Sequence, residues 1–229
     1  MLEELKYKVW TANKKLPEQG LVTFSQGGAS GIDREQGLFV INPSGVSYCD
    51  LRPEHMTVVD LSGNVIEGEY APAADMPAHL ELYKAFPNCG GIVRTHSSWA
   101  TAFAQACKPI PPFGTIHADH FYGEIPATRL MTKTEIENSY EKNIGLIIIE
   151  AFKNLDPEAV PGVLVSGHGP WSWGSSPSDA VNNAVAMENI ARLALCSMTL
   201  TPGLAPISQA ILDKHYQLRK GNNTNFNQE

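Results

Sequence analysis

Runs of about four apolar residues, each closed by a polar residue, alternate along this chain with longer stretches of helical periodicity. "LFVI" (38–41) reads as a buried strand, and "MTVVDLSGNVIEG" (56–68) as a hairpin around Ser62-Gly63-Asn64. A further strand is expected at 90–95, and "GVLVSGHGPWSWG" (162–174) reads as a strand leading into a glycine-rich loop. Between them, residues 2–16 put Leu2, Leu5, Val9 and Leu16 near one helical face. "MPAHLELYKAF" (76–86) opens on Pro77 and runs helical to Pro87, and a short helix near 98–107 precedes the turn "KPIPPFG". Residues 131–155 carry helical patterning, with Thr132 as a cap and Glu135 three residues on. The longest helix is expected at 176–200, capped near Ser176 or Ser178, and a last one at roughly 205–219. No internal repeat or linker interrupts the 229 residues, so the chain reads as one domain, 1–229. Short strands interleaved with helices make that domain a layered α/β or α+β sandwich.

Composition excludes several function classes. A net charge of −7 and a pI near 5.5 argue against nucleic acid or an anionic membrane as partner. No apolar run approaches the roughly 20 residues that span a bilayer. The N-terminal stretch is acidic early on, unlike a signal or transit peptide. Cys49, Cys89, Cys107 and Cys196 form no C-x-x-C pair and read as reduced, mostly buried thiols of a cytoplasmic protein.

The residue types that carry chemistry gather in a few places. "GGIVRTHSSW" (90–99) delivers Arg94 and His96 two residues apart, and strand alternation turns both to one face. His96 can hold a metal there. Arg94 cannot, because a guanidinium has five donors, no lone pair to give and a permanent charge. His168 sits in "SGHGPWSWG", where glycines open the backbone. Each of His55, His79, His96, His117, His120, His168 and His215, taken singly, fits a hydrogen-bonded structural residue more readily than a ligand. Asp75, just ahead of the helix at 76–86, reads as an N-cap or as a site carboxylate. Asp119 lies between His117 and His120, in a stretch polar enough for a site and equally for a surface loop. "SQGGAS" (25–30) and "NPSG" (42–45) read as turns whose N–H groups either cradle an anion or do ordinary turn work, and neither has Walker spacing.

Taken in order, "LVTFSQGGASGIDRE", "FVINPSGVSY", "ELYKAFPNCGGIVRTHSSWAT", "HADHFYGEIPATR", "VPGVLVSGHGPWSWG" and "ILDKHYQLRK" resemble the L-ribulose-5-phosphate 4-epimerase family of the class II aldolase superfamily. The likeness runs from Met1 to about Gln228. It implies a three-layer α/β/α sandwich with a central, mainly antiparallel sheet, in a cyclic homotetramer with sites between subunits. It also implies metal-assisted retro-aldol/aldol epimerisation of a ketose or ketose phosphate at C4, with zinc as the usual cofactor. Such chemistry needs a Lewis acid for developing negative charge and acid/base groups on opposite faces of the aldehyde. His96 and His168 match the second and third of the family's three histidine ligands. Asp75 matches its metal-proximal carboxylate, where related aldolases usually carry glutamate, and Asp119 matches one acid/base residue. Gly27, Gly28, Ser44 and Gly45 match the substrate-binding turns.

The departures are equally specific. Arg94 stands at the first ligand position, where a fixed charge would repel a divalent ion ~4 Å away by about 8 kcal/mol at an effective dielectric of ~20. Only two histidines remain, whereas catalytic zinc ordinarily takes three protein ligands. Ala73-Ala74 replace a phosphate-binding serine pair, Gly28 an asparagine and Asn42 a lysine, while Phe226 is nearest to the acid/base tyrosine of the tail. Three readings follow: an epimerase or aldolase with a changed substrate, in which Arg94 contacts a carboxylate or enolate; a catalytically silent or engineered tetrameric scaffold; and a small-anion binding module.

Overall fold

A computed structural model describes residues 1–22 and 26–221. Ser25 of the first glycine turn and Phe226 of the tail lie outside the described residues. The elements run α1 (Glu3–Glu18), β1 (Gly27–Asp33), β2 (Leu38–Ile41), β3 (Thr57–Asp60), β4 (Val65–Glu67), α2 (Met76–Ala85), β5 (Gly91–Thr95), α3 (Ser98–Gln105) and α4 (Thr115–His120). They continue through α5 (Lys133–Glu137), α6 (Tyr140–Ala151), β6 (Gly162–Val165), β7 (Gly169–Gly174), α7 (Pro177–Leu200) and α8 (Gln209–Gly221).

The strands form one sheet of order β4-β3-β2-β1-β5-β7-β6, and every pairing within it is antiparallel. Alternation along the strands sorts side chains to two faces. Phe39, Ile41, Val59 and Ile92 join a core with Leu80, Leu82 and Tyr83 of α2 and Ile144, Ile147 and Ile148 of α6. On the opposite face Ala29 and Val93 meet Ala12 and Leu16 of α1 and Ala180, Val181 and Ala184 of α7. Helices thus cover the sheet on both sides, and the expected three-layer sandwich is the fold.

Several local expectations need correction. "GGASGID", read in part as a turn, is the central strand β1, with Gly28 opposite Arg94 and Gly27 opposite Thr95. The glycine-rich loop after 165 is short, because Gly169–Gly174 forms β7 against β5. Glycine on these strands marks close packing rather than a bend. The helical stretch at 131–155 is two helices, separated at Ser139 by a left-handed residue with φ of 58°. Thr132 and Glu135 do form the reciprocal capping box. The last helix starts at Gln209, later than expected. Asp119 belongs to a helix, α4, rather than a loop. Only Cys89 is buried, while Cys49, Cys107 and Cys196 are exposed, and all four are free thiols. Among the described residues no helix is long and apolar enough to cross a membrane.

Close approach at β5 gives a stability prediction. A Cβ on Gly91 would overlap Pro177 N and stand 2.5 Å from Pro177 Cα, backbone that cannot swing aside. Gly91→Ala should therefore cost about 1–3 kcal/mol or more in urea unfolding. An unchanged midpoint would show that the β5–α7 junction is looser than described.

Candidate functional site

Strand β5 aims Arg94 to the same side as Ile92, and His96 follows just past the strand's end. The β6–β7 turn brings His168 opposite them. Arg94 Nη2 donates to His168 Nε2 at 2.8 Å, and the rings of His96 and His168 lie 5.0 Å apart. From the helical layer, Asp75 Oδ2 comes to 3.7 Å from Arg94 Nε and 4.0 Å from His79 Nε2. Asp75 occupies the N-cap position of α2, yet its side chain makes no capping hydrogen bond. Asp75 thus stands at the N-cap without capping through its side chain, which instead faces Arg94 and His79. Arg94, His96, His168 and Asp75 therefore converge, as does the Gly27-Gly28 backbone paired with β5.

The remaining expected residues are placed differently. Asp119 is 45% exposed, and its Oδ1 meets His215 Nδ1 of α8 at 2.8 Å. It lines a cleft of about 950 Å³ with His120, Phe86, Phe152, Trp173 and Tyr216, and none of the Arg94 cluster borders that cleft. Within one chain, Asp119 and the cluster share no cleft. Ser44 and Gly45 are exposed, and the Ser44 N–H is already donated to Ala71 O, so it cannot join an anion nest. Asn42 and Ala73 are neighbours, with the Ala73 N–H donated to Asn42 O. A Cβ on Gly28 would overlap Asn42 Oδ1. The missing side chain at 28 and the one present at 42 are thus one packing unit.

Four neighbours have no counterpart among the residues expected from the sequence. His79 is buried on α2, with its Nδ1 2.7 Å from Ser30 Oγ, which in turn lies 2.7 Å from Tyr83 OH. Its i,i+4 spacing from Asp75 was the one available signal. Trp171 is the cross-strand partner of Arg94, and Tyr140 stacks on His168 at 6.4 Å. Tyr48 donates its OH to Gly27 O, and burial, with the Asp75 charge behind it, pushes the phenol up to about 12.

The electrostatics are those of one cation among neutral imidazoles. Burial, then the Arg94 charge, pushes His168 down to about 4, and His96 is lowered for the same two reasons. His79 is held down to about 4 by burial. A guanidinium is always charged, so the lone pair it faces on His168 Nε2 is the acceptor, and Nδ1 carries the ring proton.

The sequence pattern of the class II aldolase and adducin N-terminal domain family matches residues 7–195, and this chain belongs to that family. The L-ribulose-5-phosphate 4-epimerases UlaF of Salmonella paratyphi A and Salmonella typhi are each 46% identical to it over 228 residues, covering both chains completely. Among solved structures, an L-fuculose 1-phosphate aldolase superposes with a TM-score of 0.83 at 22% identity, covering 95% of this chain and 96% of that one. The L-fuculose-1-phosphate aldolase of Thermus thermophilus gives 0.70 at 21% identity, over 89% and 100%.

Class II aldolases are generally dependent on a divalent metal. The donor set here does not fit one. His168 Nε2, which a metal would need, is already taken by Arg94, whose guanidinium has no lone pair to offer in exchange. Among the described residues no group of three or more His, Cys, Asp or Glu side chains is placed to hold a metal ion.

The imidazoles set an acid limit on stability. Folded, His79 and His168 stay neutral down to about pH 4, whereas unfolded histidine takes up its proton near 6.5. The unfolded state therefore binds more protons between these values, and stability falls as pH drops from about 6.5 to 4. His79 alone, fully enclosed, contributes on the order of 3 kcal/mol across that window. Urea unfolding at pH 7.5 and 5 should show the loss, and His79→Gln should flatten it. Equal stability at both values would mean that these rings are solvated.

Proposed function

We propose that this chain is a C4 epimerase of the L-ribulose-5-phosphate 4-epimerase type, acting on a ketose or ketose phosphate. The observation that carries the reading is the meeting of Asp75, Arg94, His96 and His168 at the end of β5, in a chain alike over its full length to such epimerases. A base takes the C4 hydroxyl proton, the C3–C4 bond breaks, and its electron pair enters the C2 carbonyl to give an enediolate. The aldehyde turns, and the same pair re-forms the bond on its other face. Neutral His96 and His168 border the C2 and C3 oxygens in this reading, and Asp75 orients Arg94.

Asp119 supplies acid/base work from a second copy of the chain, in a cyclic homotetramer. Its exposure, and its place in a cleft that its own chain's cluster does not border, suit that role. The residual phosphate contacts are the backbone at Gly27, Gly28 and Gly45 with the Ser44 hydroxyl. Alanine at 73 and 74 and asparagine at 42 remove two hydroxyl donors and one charge relative to the family pattern. Each charge-assisted bond is worth roughly 1.5–3 kcal/mol, so phosphate should add little binding.

Incubation with L-ribulose 5-phosphate and with L-ribulose should yield the C4 epimer, with the phosphate improving kcat/KM by less than about tenfold. Asp119→Asn should lower kcat by about 10²–10⁴. Mixing Asp119→Asn with Arg94→Ala protomers should restore about a quarter of the sites, because each site draws on two copies. No epimer from either sugar would leave the silent scaffold as the function. Full loss in the mixture would put Asp119 in the wrong place.

A further inference from the structure

Among the described residues, several buried polar atoms without a hydrogen-bond partner lie around the end of β5. Arg94 Nε, His79 Nε2, His168 Nδ1 and Trp171 Nε1 are all in this condition. Their residues are neighbours: Arg94 bonds His168, Trp171 lies across the strand pair from Arg94, and the rings of Trp171 and His79 are 5.0 Å apart. A buried polar group left unpaired costs roughly 1–3 kcal/mol, so such a cluster marks where ordered water or a ligand supplies the partners. Arg94 Nε, Trp171 Nε1 and, with the ring proton on that nitrogen, His168 Nδ1 are all N–H donors. What they lack is acceptor oxygens. Asp75 does not provide them, since 3.7 and 4.0 Å are beyond hydrogen-bond reach.

We propose that Arg94 takes over the charge role of a divalent cation in this chain, so that the site binds a singly charged two-oxygen ligand without metal. The ligand is the enediolate of a hydroxycarbonyl fragment, or a 2-hydroxycarboxylate of the same shape. The inference rests on the retro-aldol reading, because that reaction generates the enediolate. Electrons and protons balance without a metal: the C4 hydroxyl proton goes to the base, the C3–C4 pair leaves one negative charge shared between the C2 oxygen and C3, and both return on closure. A guanidinium holds such an oxyanion through planar, charge-assisted bonds. The nearby Asp75 carboxylate opposes a second full charge, which favours a delocalised monoanion over phosphate.

Calorimetry on the full-length chain tests this with glycolate, inorganic phosphate and zinc as separate probes, each with and without EDTA. Circular dichroism first confirms that Arg94→Lys, Arg94→Ala and Arg94→His are folded. Glycolate should bind the parent equally with and without chelator, and inorganic phosphate more weakly. Binding should drop by about tenfold or more in Arg94→Ala and by less in Arg94→Lys, which keeps the charge and loses the planar fork. Arg94→His should take up one equivalent of zinc where the parent takes none. The inference is overturned if the parent retains stoichiometric zinc after dialysis, if EDTA abolishes glycolate binding, if glycolate does not bind, or if Arg94→Ala binds it as well as the parent. Turnover of L-ribulose 5-phosphate only with added zinc would sink this inference and leave the epimerase reading standing. Glycolate binding through Arg94 with no sugar turned over would do the reverse.

Discussion

The architecture depends on how closely backbone passes backbone around β5. A Cβ on Gly90 would overlap Ser175 O, one on Gly91 would overlap Pro177 N, and one on Gly174 would stand 2.6 Å from Asp179 Cβ. Only bare backbone permits that approach. It seats the start of α7, capped by Ser176, directly over the β5–β7 pair. With β7 held in register against β5, Trp171 faces Arg94, and the turn ahead of β7 delivers His168 to the strand's end. The site's geometry is thus set from the far end of the same two strands.

At that end, charge and burial pull in one direction. Desolvation strips the imidazoles of their protons, and the permanent Arg94 charge discourages their return. One cation and one carboxylate remain, separated by a gap that neither closes. Such an arrangement can hold a developing oxyanion, because its donors are fixed before the charge appears. The changes near the glycine turn follow the same logic of mutual fit: with no side chain at 28, Asn42 fills the space.

How much of this was legible follows from what each segment has to pack against. "LFVI", with a hairpin signal after it, announces β2 to β4, because unbroken short runs of bulky apolar and β-branched residues suit strands covered on both faces. "GGASGID" hides β1, since a strand squeezed between neighbours and helices on both faces needs small residues and loses its alternation. β7 was hidden by Gly169, Pro170 and Gly174, which read as a loop and serve as close contacts. The meeting of Arg94, His96 and His168 was foreseeable from strand alternation together with the family likeness. Trp171 and Tyr48 join the site only through tertiary packing, for which local sequence carries no signal, and His79 had only its i,i+4 spacing from Asp75. Asp119 could be named from the likeness, but its place relative to the cluster depends on a second copy that one sequence does not describe.

Crystals of the full-length chain grown with zinc, with anomalous data collected across the zinc edge, test the central claim most directly. The expected result is guanidinium density bridging His168 Nε2 toward Asp75, and no anomalous peak beside His96. An anomalous peak ligated by His96 and His168, with Arg94 swung out of the cluster, would contradict it.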